Sequence, residues 1–365
     1  MRRTRTLIAG GGPAGAAAAI ALARAGAAPL LLERTVGPRD VVCGGFLGWD
    51  ALAALRRLGI DAAHLGARPI GRLRLVAGER VVEAKLPHRA AGLSRRTLDA
   101  ALLDAAAAAG ATVERGRTIR AAEGLRLRLD DGEELEAGAL FLATGKHELR
   151  GLPRPLGGRS EEAAAGLRAS LPPSSALEEA LAGTIELHLF EAGYAGLLLQ
   201  EDGSANLCLS VSRRRLAAAG SPAALLDGIF AEAPRLAGRI GGAVVEPWEA
   251  VAGVPYGWRA AGTEPGLFRL GDQAAVIASL AGDGIAIALG SGLAAAAAHA
   301  RAGPAAAQAY QRAFARRAAR PLAVAERLRH AAERRGPRGA LMRLFGAMPM
   351  LLPLAATLTR IGAPD

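Results

Sequence analysis

Cysteine, the aromatic residues and lysine are scarce in this 365-residue chain, and the scarcity of each one narrows the range of possible functions. Cysteine occurs only at Cys43 and Cys208, with no C-x-x-C pair and no His or Asp nearby at metal-ligand spacing. We therefore expect a reduced, cytoplasmic protein without a metal site. Aromatic residues make up 4% of the chain, and alanine runs take their place, which favours closely packed helices. No stretch supplies the roughly 20 apolar residues that a membrane-spanning helix needs.

Lysine occurs only at Lys85 and Lys146, so arginine carries almost all of the positive charge behind a net +11. The arginines are scattered and are not interleaved with aromatics as a nucleic-acid surface requires, and we expect no nucleic-acid partner. The stretch "LFGAMPMLLPLAATL", residues 344–358, is apolar, short and interrupted by two prolines. We expect it to pack against the body of the protein, with peripheral membrane contact as the alternative. The oligomeric state stays open.

A nucleotide-binding signal opens the chain. Residues 6–9 predict a buried strand, a helix follows to about Arg24, and "PLLLER" predicts a second strand that ends at Glu33. The intervening G-x-G-x-x-G spacing allows a tight turn, close approach of a pyrophosphate, and contact between helix and strand. The free N–H groups at the helix start would face the phosphates. The cofactor-binding residues predicted here are Gly10, Gly12, Pro13, Ala14 and Gly15.

Glu33 and Arg34 bear on the nucleoside part of the cofactor. At the end of the second strand, the Glu33 carboxylate can accept hydrogen bonds from both hydroxyls of an adenosine ribose. The same carboxylate would repel a 2′-phosphate, although Arg34 beside it could attract one. Dinucleotide binding with an unphosphorylated ribose is therefore favoured over an NADP-type site.

A second glycine-rich segment lies far downstream, at residues 271–292. "FRLGD" predicts a strand ending at Gly271 and Asp272, and Gly282 and Gly284 precede a long helix that includes Ile285. A nicotinamide dehydrogenase has no need of this second segment, whereas FAD is long enough to contact both the N-terminal glycine-rich turn and this segment. Asp272 would accept a hydrogen bond from a ribityl hydroxyl, and the helix N-terminus would stabilise negative charge on the reduced ring.

These segments resemble FAD-dependent oxidoreductases of the aromatic-hydroxylase superfamily (group A flavin monooxygenases), particularly their geranylgeranyl-reductase-like branch. Three blocks carry the likeness over residues 7 to about 295: "GGGPAGAAAAIALARAGAAPLLLER", "LSRRTLDAALLDAAAAAGATVERG" and "LFRLGDQAAVIASLAGDGIAIALGSG". The resemblance implies FAD as cofactor, with Arg95 reaching its phosphates. "VVCGGFLGWDALAALRRLG" is similar to the branch's Cys-Gly-Gly segment, which implies that Cys43 and Gly44 lie close to the flavin. Cys43 is the candidate catalytic residue, and a small buried side chain is the alternative.

Departures from the family bear on the electron donor. In "LFLATGKHELRG", Lys146 and His147 stand where the family has an aspartate, in a motif associated with the nicotinamide donor as well as FAD. The preceding Thr144 and Gly145 resemble a flavin-contacting strand end in other two-nucleotide flavoproteins. Ser279 stands where the family often has proline. NADH, NADPH and a partner reductase therefore stay open as donors.

The predicted fold is α/β, with a discontinuous Rossmann-like FAD/NAD(P)-binding domain and an α+β substrate domain built on an antiparallel sheet. The FAD-binding pieces are residues 1–70, 93–150 and 263–300, the substrate domain is 71–92 and 151–262, and 301–365 form a C-terminal helical segment. Hairpins are predicted around Gly78, at Asp131-Gly132 and at Asp202-Gly203. Their strands would form a sheet over the flavin, with a ligand pocket at the junction.

The resemblance implies a flavin oxidoreductase, and the sequence offers no acid–base–nucleophile set, as expected where the cofactor carries the chemistry. Hydroxylation of a lipophilic phenolic, polyketide or isoprenoid substrate is favoured, because Gly196 and Leu198 replace substrate-contacting aromatics of the reductase branch. Saturation of isoprenoid C=C bonds is the alternative, and non-catalytic FAD and lipid binding is a second alternative. Tyr194, Tyr256 and Trp258 are predicted to line the substrate pocket, with edge-strand packing as the alternative for the last two.

Overall fold

The computed structural model describes residues 1–156, 163–243, 245 and 247–362, which form two sheets flanked by helices. Its strands are β1 Arg2–Ala9, β2 Leu30–Glu33, β3 Phe46–Leu47, β4 Arg68–Ala77, β5 Arg80–Gly92, β6 Thr112–Arg115, β7 Ile119–Glu123, β8 Arg126–Leu129, β9 Glu134–Leu142, β10 Ala164–Leu171, β11 Thr184–Phe190, β12 Gly193–Leu199, β13 Ala205–Ser212, β14 Glu249–Val254 and β15 Leu267–Arg269. Its helices are α1 Pro13–Arg24, α2 Trp49–Arg57, α3 Arg95–Ala108, α4 Ser175–Leu181, α5 Arg213–Ala219, α6 Pro222–Glu232, α7 Pro234–Ile240, α8 Gly284–Ala302, α9 Ala307–Glu333, α10 Arg335–Ala347 and α11 Leu351–Leu358.

The first sheet has the strand order β6-β2-β1-β9-β8-β7, with β15 also paired to β9. Strand β1 runs parallel to both of its neighbours, so that Leu7 pairs with Leu30 on one side and with Leu140 on the other. Leu7 and Ile8 point to opposite faces and are buried in different apolar clusters, as expected for a parallel sheet covered on both sides. With α1 crossing between β1 and β2, this sheet confirms the predicted Rossmann-like fold.

The second sheet has the order β14-β10-β13-β12-β11-β4-β5-β3 and is antiparallel except where β4 meets β11. The hairpin predicted around Gly78 joins β4 to β5, and the hairpin predicted at Asp202-Gly203 joins β12 to β13. The hairpin at Asp131-Gly132 also forms, between β8 and β9, but it belongs to the first sheet. The reason is that β9 also pairs with β1 from Arg2 to Ala9, which fixes its place in the parallel layer. Conversely, β3, within the predicted piece 1–70, pairs with β5 in the second sheet.

Alanine and glycine allow the central helices to approach closely. Helix α1 packs against α8, and Ala16, Ala17, Ala18 and Ala19 are all fully buried. A Cβ added at Gly292 of α8 would lie 2.3 Å from the carbonyl oxygen of Ala14, so the contact tolerates no side chain there. Small residues, rather than the scarce aromatic ones, therefore make this interface.

The C-terminal helical segment covers one end of the second sheet. Met342, Phe345 and Leu352 of α10 and α11 are buried with Leu75 and Val82 of β4 and β5. By length and composition alone, one described helical run, residues 284–333, could span a membrane, and the bent pair of α10 and α11 also passes if it is counted as one span; both findings are contrary to the prediction that no stretch could. Half of the most apolar window of the run 284–333 is buried inside the protein, where α8 packs against α1.

A cluster of buried charged side chains lies on one face of β11. Glu186 is fully buried, and its Oε2 accepts a hydrogen bond from Nε of Arg239 on α7 at 2.9 Å. His188 Nε2 lies 3.8 Å from the same carboxylate, and Arg74 Nη1 lies 3.6 Å from its other oxygen. Burial acts to raise the pKa of Glu186, but His188 and Arg239 outweigh it and lower the pKa to about 2.

This cluster predicts a pH-dependent loss of stability. Because the pKa of Glu186 falls from 4.5 unfolded to about 2 folded, its ionised form stabilises the fold above pH 4.5 and does so less as the pH falls toward 2. Each pH unit in that window is worth about 1.4 kcal/mol, so Glu186→Gln should cost roughly 3 kcal/mol at neutral pH. Urea unfolding at several pH values measures this difference. A cost that stays constant down to the acid end of the window would contradict the assignment.

Candidate functional site

A cavity of about 200 Å³ lies between the two sheets and brings together most of the residues predicted for the site. The N-termini of α1 and α8 and the end of β9 form one side, and inward-facing residues of β11, β12 and β13 form the other. The predicted residues that line it are Gly12, Pro13, Ala14, Cys43, Gly44, Arg95, Gly145, Tyr194, Tyr256, Gly271, Asp272, Gly282, Gly284 and Ile285. One cavity thus connects the two glycine-rich segments, as a single extended cofactor requires.

The N-terminus of α1 is suited to an anion. Gly12 is its N-cap and provides no side-chain hydrogen bond, Pro13 begins the helix, and its first turn holds no acidic residue. The first N–H groups are therefore free, and the helix dipole favours a phosphate there. Gly10 and Gly15 lie behind the lining, where a Cβ on Gly15 would be 1.9 Å from the Gly10 carbonyl oxygen.

Glu33 ends β2 beside this glycine turn, outside the cavity lining. Its carboxylate accepts hydrogen bonds from Gly11 N–H at 2.7 Å and from the N–H and hydroxyl of Thr35 at 2.8 Å each. Arg34 extends to His147, with Nη2 2.8 Å from Nε2. Burial, together with the charge of Arg34, lowers the pKa of His147, so the neutral ring accepts this hydrogen bond. Glu33 therefore shapes the turn, while Arg34 is engaged away from the cavity.

Two cations, Arg95 and Lys146, line the cavity. Arg95 begins α3 and is held by Asp99, with Nε–Oδ1 and Nη2–Oδ2 distances of 2.7 and 2.6 Å. The Nη2 atom of Arg95 lies 3.3 Å from the position that a Cβ on Gly12 would take. Lys146 Nζ lies 3.2 Å from Asp272 Oδ2, and this carboxylate raises the pKa of the ammonium group. Lys146 was not predicted as a cofactor residue, although its position directly after β9 and Gly145 was a usable signal.

The N-terminus of α8 is left without a side-chain cap. Asp283 is its N-cap residue, yet the carboxylate makes no capping hydrogen bond. Instead its Oδ1 accepts from Arg360 Nη1 at 2.8 Å and its Oδ2 from Ile361 N at 3.1 Å. Burial raises the pKa of Asp283 to about 6, against the opposing charge of Arg360. The first N–H groups of α8, at the cavity residues Gly284 and Ile285, therefore remain available.

Two glycines of the lining indicate that a ligand fits here. A Cβ added at Gly44 or at Gly284 would meet no protein atom within 4 Å, and neither residue has a positive φ. Neither the backbone nor the neighbouring protein atoms therefore require glycine at these positions. Both face the cavity, where a side chain would fill space that a flat ring system needs. Together with the α1 N-terminus and the two cations, they fit a dinucleotide with a planar ring.

A chain of four hydroxyl groups runs along the other side of the site. Ser279 Oγ lies 2.6 Å from the hydroxyl oxygens of both Tyr194 and Tyr256, and Tyr256 lies 3.2 Å from Ser210 Oγ. Burial raises the pKa of Tyr194 and of Tyr256, so both phenols stay protonated at neutral pH. The two serines were not predicted as site residues, because no local motif marks them.

Cys43 and Cys208 both line the cavity. Cys43 Sγ accepts a weak hydrogen bond from Gly45 N–H at 3.5 Å, and its carbonyl accepts one from Asn206 at 3.0 Å. Burial raises the pKa of the Cys208 thiol to about 12, which keeps it protonated. Cys208 is thus an unreactive neighbour that sequence reasoning did not place at the site.

Two further predicted site residues lie outside the cavity lining. Trp258 does not line the cavity; it is buried with Val254 and Val276, and the Arg154 guanidinium lies 5.7 Å from its ring centre. Thr144 also lies outside the lining and donates to the carbonyl of His147 at 2.9 Å, which closes the turn after β9. Within the described ranges, no group of three or more His, Cys, Asp and Glu side chains could hold a metal ion.

Comparison with known proteins identifies the cofactor domain. A family model described as an FAD binding domain matches residues 3–150. YetM of Bacillus subtilis, described as an FAD-dependent monooxygenase, is 31% identical over 157 residues, which are 39% of this chain and 42% of that protein. The match therefore spans less than half of the length of this curated relative.

Solved structures share the fold along most of the chain. A geranylgeranyl bacteriochlorophyll reductase-like protein from Thermoplasma acidophilum matches with a TM-score of 0.78 at 20% identity, covering 95% of this chain and 91% of that one. The flavin-dependent halogenase CmlS matches with a TM-score of 0.73 at 21% identity, covering 89% and 64% respectively. Residues 3–150 therefore match an FAD-binding domain, and the shared fold confirms the fold class predicted from the sequence.

Proposed function

We propose that this protein is an FAD-dependent monooxygenase of the group A flavoprotein superfamily and that it hydroxylates a lipophilic substrate, either a phenolic polyketide or an isoprenoid. The observation that carries the proposal is the continuous cavity between the sheets. Glycines, helix N-termini and two cations occupy one side of it, and tyrosines and leucines occupy the other. The description of YetM as an FAD-dependent monooxygenase supports the same reaction class.

FAD would be held by residues on the first side of the cavity. The α1 N-terminus, Arg95 and Lys146 provide N–H groups and positive charge for its pyrophosphate. Glu33 lies beside the turn on the expected adenosine side, and the α8 N-terminus at Gly284 offers N–H groups to the ring. When bound, FAD supplies the electron chemistry, with NADH or NADPH as the proposed donor.

A second, apolar cavity supports a lipophilic substrate. It has a volume of about 80 Å³ and shares Phe46, Ile185 and Leu187 with the main cavity. Its other lining residues are almost all leucine, alanine and phenylalanine from β4, β5 and the C-terminal helices. Gly196 also faces the main cavity without filling it. An apolar chain could therefore extend away from the polar side of the site, which would stabilise binding through burial of its surface.

The hydroxyl chain would orient the polar part of the substrate. The phenols of Tyr194 and Tyr256 are protonated and linked through Ser279, so each can donate to or accept from a substrate hydroxyl. A proton released by that hydroxyl could pass along Tyr256 toward Ser210. The surrounding leucines exclude water, which strengthens these hydrogen bonds.

Reduction of an isoprenoid C=C bond is the second candidate. It is supported by the similarity in fold to the reductase-like protein from Thermoplasma acidophilum, over 95% of this chain. In that reaction the same tyrosine hydroxyls would donate a proton to one carbon atom of the C=C bond. The absence of the reductase branch's aromatics at Gly196 and Leu198 favours hydroxylation instead.

Product analysis separates these functions. Lipids that are extracted with the natively purified protein are identified first, and they guide the choice of a panel of phenols and prenyl compounds. Each compound of the panel is then incubated with FAD-loaded protein and NADH or NADPH. A product that gains one oxygen atom in air supports hydroxylation, and one that gains two hydrogen atoms without air supports reduction. Bound FAD whose redox rates respond to no substrate would favour a non-catalytic flavoprotein. Failure of the wild-type protein to bind FAD would overturn the proposal entirely.

The Asp283–Arg360 pair predicts an effect on cofactor affinity. If Arg360 is replaced by methionine, the Asp283 carboxylate is free to accept hydrogen bonds from the first turn of α8, as Asp does at many helix N-termini. It would then compete with FAD, and we expect Arg360→Met to weaken FAD binding by about tenfold, or about 1.4 kcal/mol. Quenching of FAD fluorescence measures the affinity.

Two variants test whether Arg360 acts through Asp283. Arg360→Met combined with Asp283→Ala removes the competing carboxylate and should restore most of the affinity. Arg317→Met removes the hydrogen bond from Arg317 to the carbonyl of Ile361, made at 2.8 Å, and loosens the same chain end without touching the ion pair. If Arg317→Met weakens FAD binding as much as Arg360→Met, the ion pair is only a tether for the C-terminus.

A further inference from the structure

The C-terminal helices expose an unusual number of apolar side chains. The apolar C-terminal patch consists of Leu344, Met348, Met350 and Leu354, with exposed fractions of 47, 44, 72 and 51%. These are four of the seven large apolar side chains that are exposed in the described ranges, and they fall within eleven residues. They surround the break between α10 and α11, where the two helices bend by 118°.

Core packing does not explain this surface. The opposite sides of the same helices provide Leu341, Phe345, Leu352 and Ala355, which line the apolar cavity. A helix on the surface of a globular protein normally turns its polar face outward. Helices α10 and α11 nevertheless turn these four apolar side chains toward solvent, where they have no partner within the described part of the chain.

The charge around the patch indicates what it contacts. Arg334 and Arg335 are exposed at the start of α10 and Arg343 is exposed next to Leu344, and no Asp or Glu occurs from residue 334 to residue 364. Exposed leucine and methionine in a segment whose own charged residues are all arginine is the composition of segments that lie in the interface of an anionic bilayer. A soluble protein partner of ordinary mixed charge gives no reason for the complete absence of acidic residues.

We propose that the apolar C-terminal patch docks on the surface of an anionic lipid bilayer. Docking places α10 and α11 at the boundary of the headgroups and acyl chains, with the apolar cavity directly behind them. A lipophilic compound dissolved in the bilayer then has an apolar route into the cavity. This route rests on the proposed lipophilic substrate, whereas docking itself requires no turnover.

Vesicle flotation with the FAD-loaded, full-length protein tests the docking. The probes are phosphatidylcholine vesicles with and without phosphatidylglycerol. The patch variant replaces all four side chains by glutamine: Leu344→Gln, Met348→Gln, Met350→Gln and Leu354→Gln. We expect the wild-type protein to float with the anionic vesicles and the patch variant to bind them at least tenfold more weakly. Val36→Gln, at a side chain 81% exposed outside the patch, is the matched control and should bind like the wild type.

A second variant separates charge from apolar contact. Arg335→Gln with Arg343→Gln should reduce binding to the anionic vesicles, because each arginine near such a surface contributes attraction that salt screens. Wild-type protein that does not float, or a patch variant that floats equally well, would overturn the proposal. So would light scattering that shows a dimer in the wild type and a monomer in the patch variant. Thermal unfolding checks that the variants remain folded, and product analysis independently tests the enzyme.

Discussion

Gly15→Ala should abolish most FAD binding and destabilise the fold. The added Cβ would lie 1.9 Å from the carbonyl oxygen of Gly10 and 3.1 Å from Cγ2 of Ile8, so the turn between β1 and α1 must move. Overpacking of this kind typically costs about 1–3 kcal/mol. The movement also displaces the free N–H groups of α1 from the phosphate position. We expect the affinity for FAD to fall on the order of a hundredfold, about 2.7 kcal/mol.

Gly228→Ala is the matched control for this variant. Gly228 is an exposed residue within α6, and a Cβ there would meet no atom within 4 Å. The same substitution should leave FAD affinity unchanged and stabilise the helix by up to about 1 kcal/mol. Titration calorimetry and thermal unfolding of both variants give the comparison. If Gly15→Ala binds FAD as tightly as the control, the α1 turn does not hold the cofactor.

The glycine-rich side of the cavity was predictable because its determinants are local. Gly10, Gly12, Gly15 and Glu33 belong to one strand–helix–strand unit, and each has a physical role that few other residues can fill. The structure places Glu33 at the end of β2 and uses its carboxylate to hold Gly11 N–H. The second segment was predictable for the same reason, since a strand, a glycine turn and a helix start follow one another directly.

The hydroxyl chain was not predictable, because distant segments bring it together. Tyr194 and Ser210 pair across β12 and β13, which requires the register of that hairpin. Ser279 comes from the turn before α8, 85 residues after Tyr194 in the sequence. Alternation along a strand predicts which residues share a face, but it does not predict which loop will reach that face.

Contacts between residues far apart in the sequence also explain the features whose positions differ from the prediction. The turn at Asp131-Gly132 correctly predicted a hairpin, but only the pairing of β9 with β1 assigns that hairpin to the first sheet. Trp258 follows a proline-bearing stretch near the site, yet contacts with Val276 and Arg154 hold it outside the cavity lining. The Asp283–Arg360 pair joins residues 77 positions apart and follows no sequence motif.

Tyr256→Phe should reduce turnover strongly while leaving FAD affinity nearly unchanged. The substitution keeps the ring and removes the hydroxyl group that connects Ser279 at 2.6 Å with Ser210 at 3.2 Å. Proton transfer by a positioned side chain commonly contributes a factor of about 10² or more, so we expect kcat to fall roughly a hundredfold. Because burial raises the pKa of Tyr256 above its usual value of 10, this hydroxyl should not titrate near neutral pH, and kcat should show no step from it there.

Tyr310→Phe distinguishes a role at the cavity from the loss of any buried hydroxyl group. Tyr310 is buried on α9, outside the cavity lining, and its hydroxyl donates to the carbonyl oxygen of Arg269 at 3.0 Å. Its removal should cost about 1 kcal/mol of stability and leave kcat within about twofold. Ser279→Ala interrupts the chain at its centre and should lower kcat as Tyr256→Phe does. Equal turnover in Tyr256→Phe and Tyr310→Phe would show that the hydroxyl chain only supports packing, and the proposed handling of the substrate's proton would then be wrong.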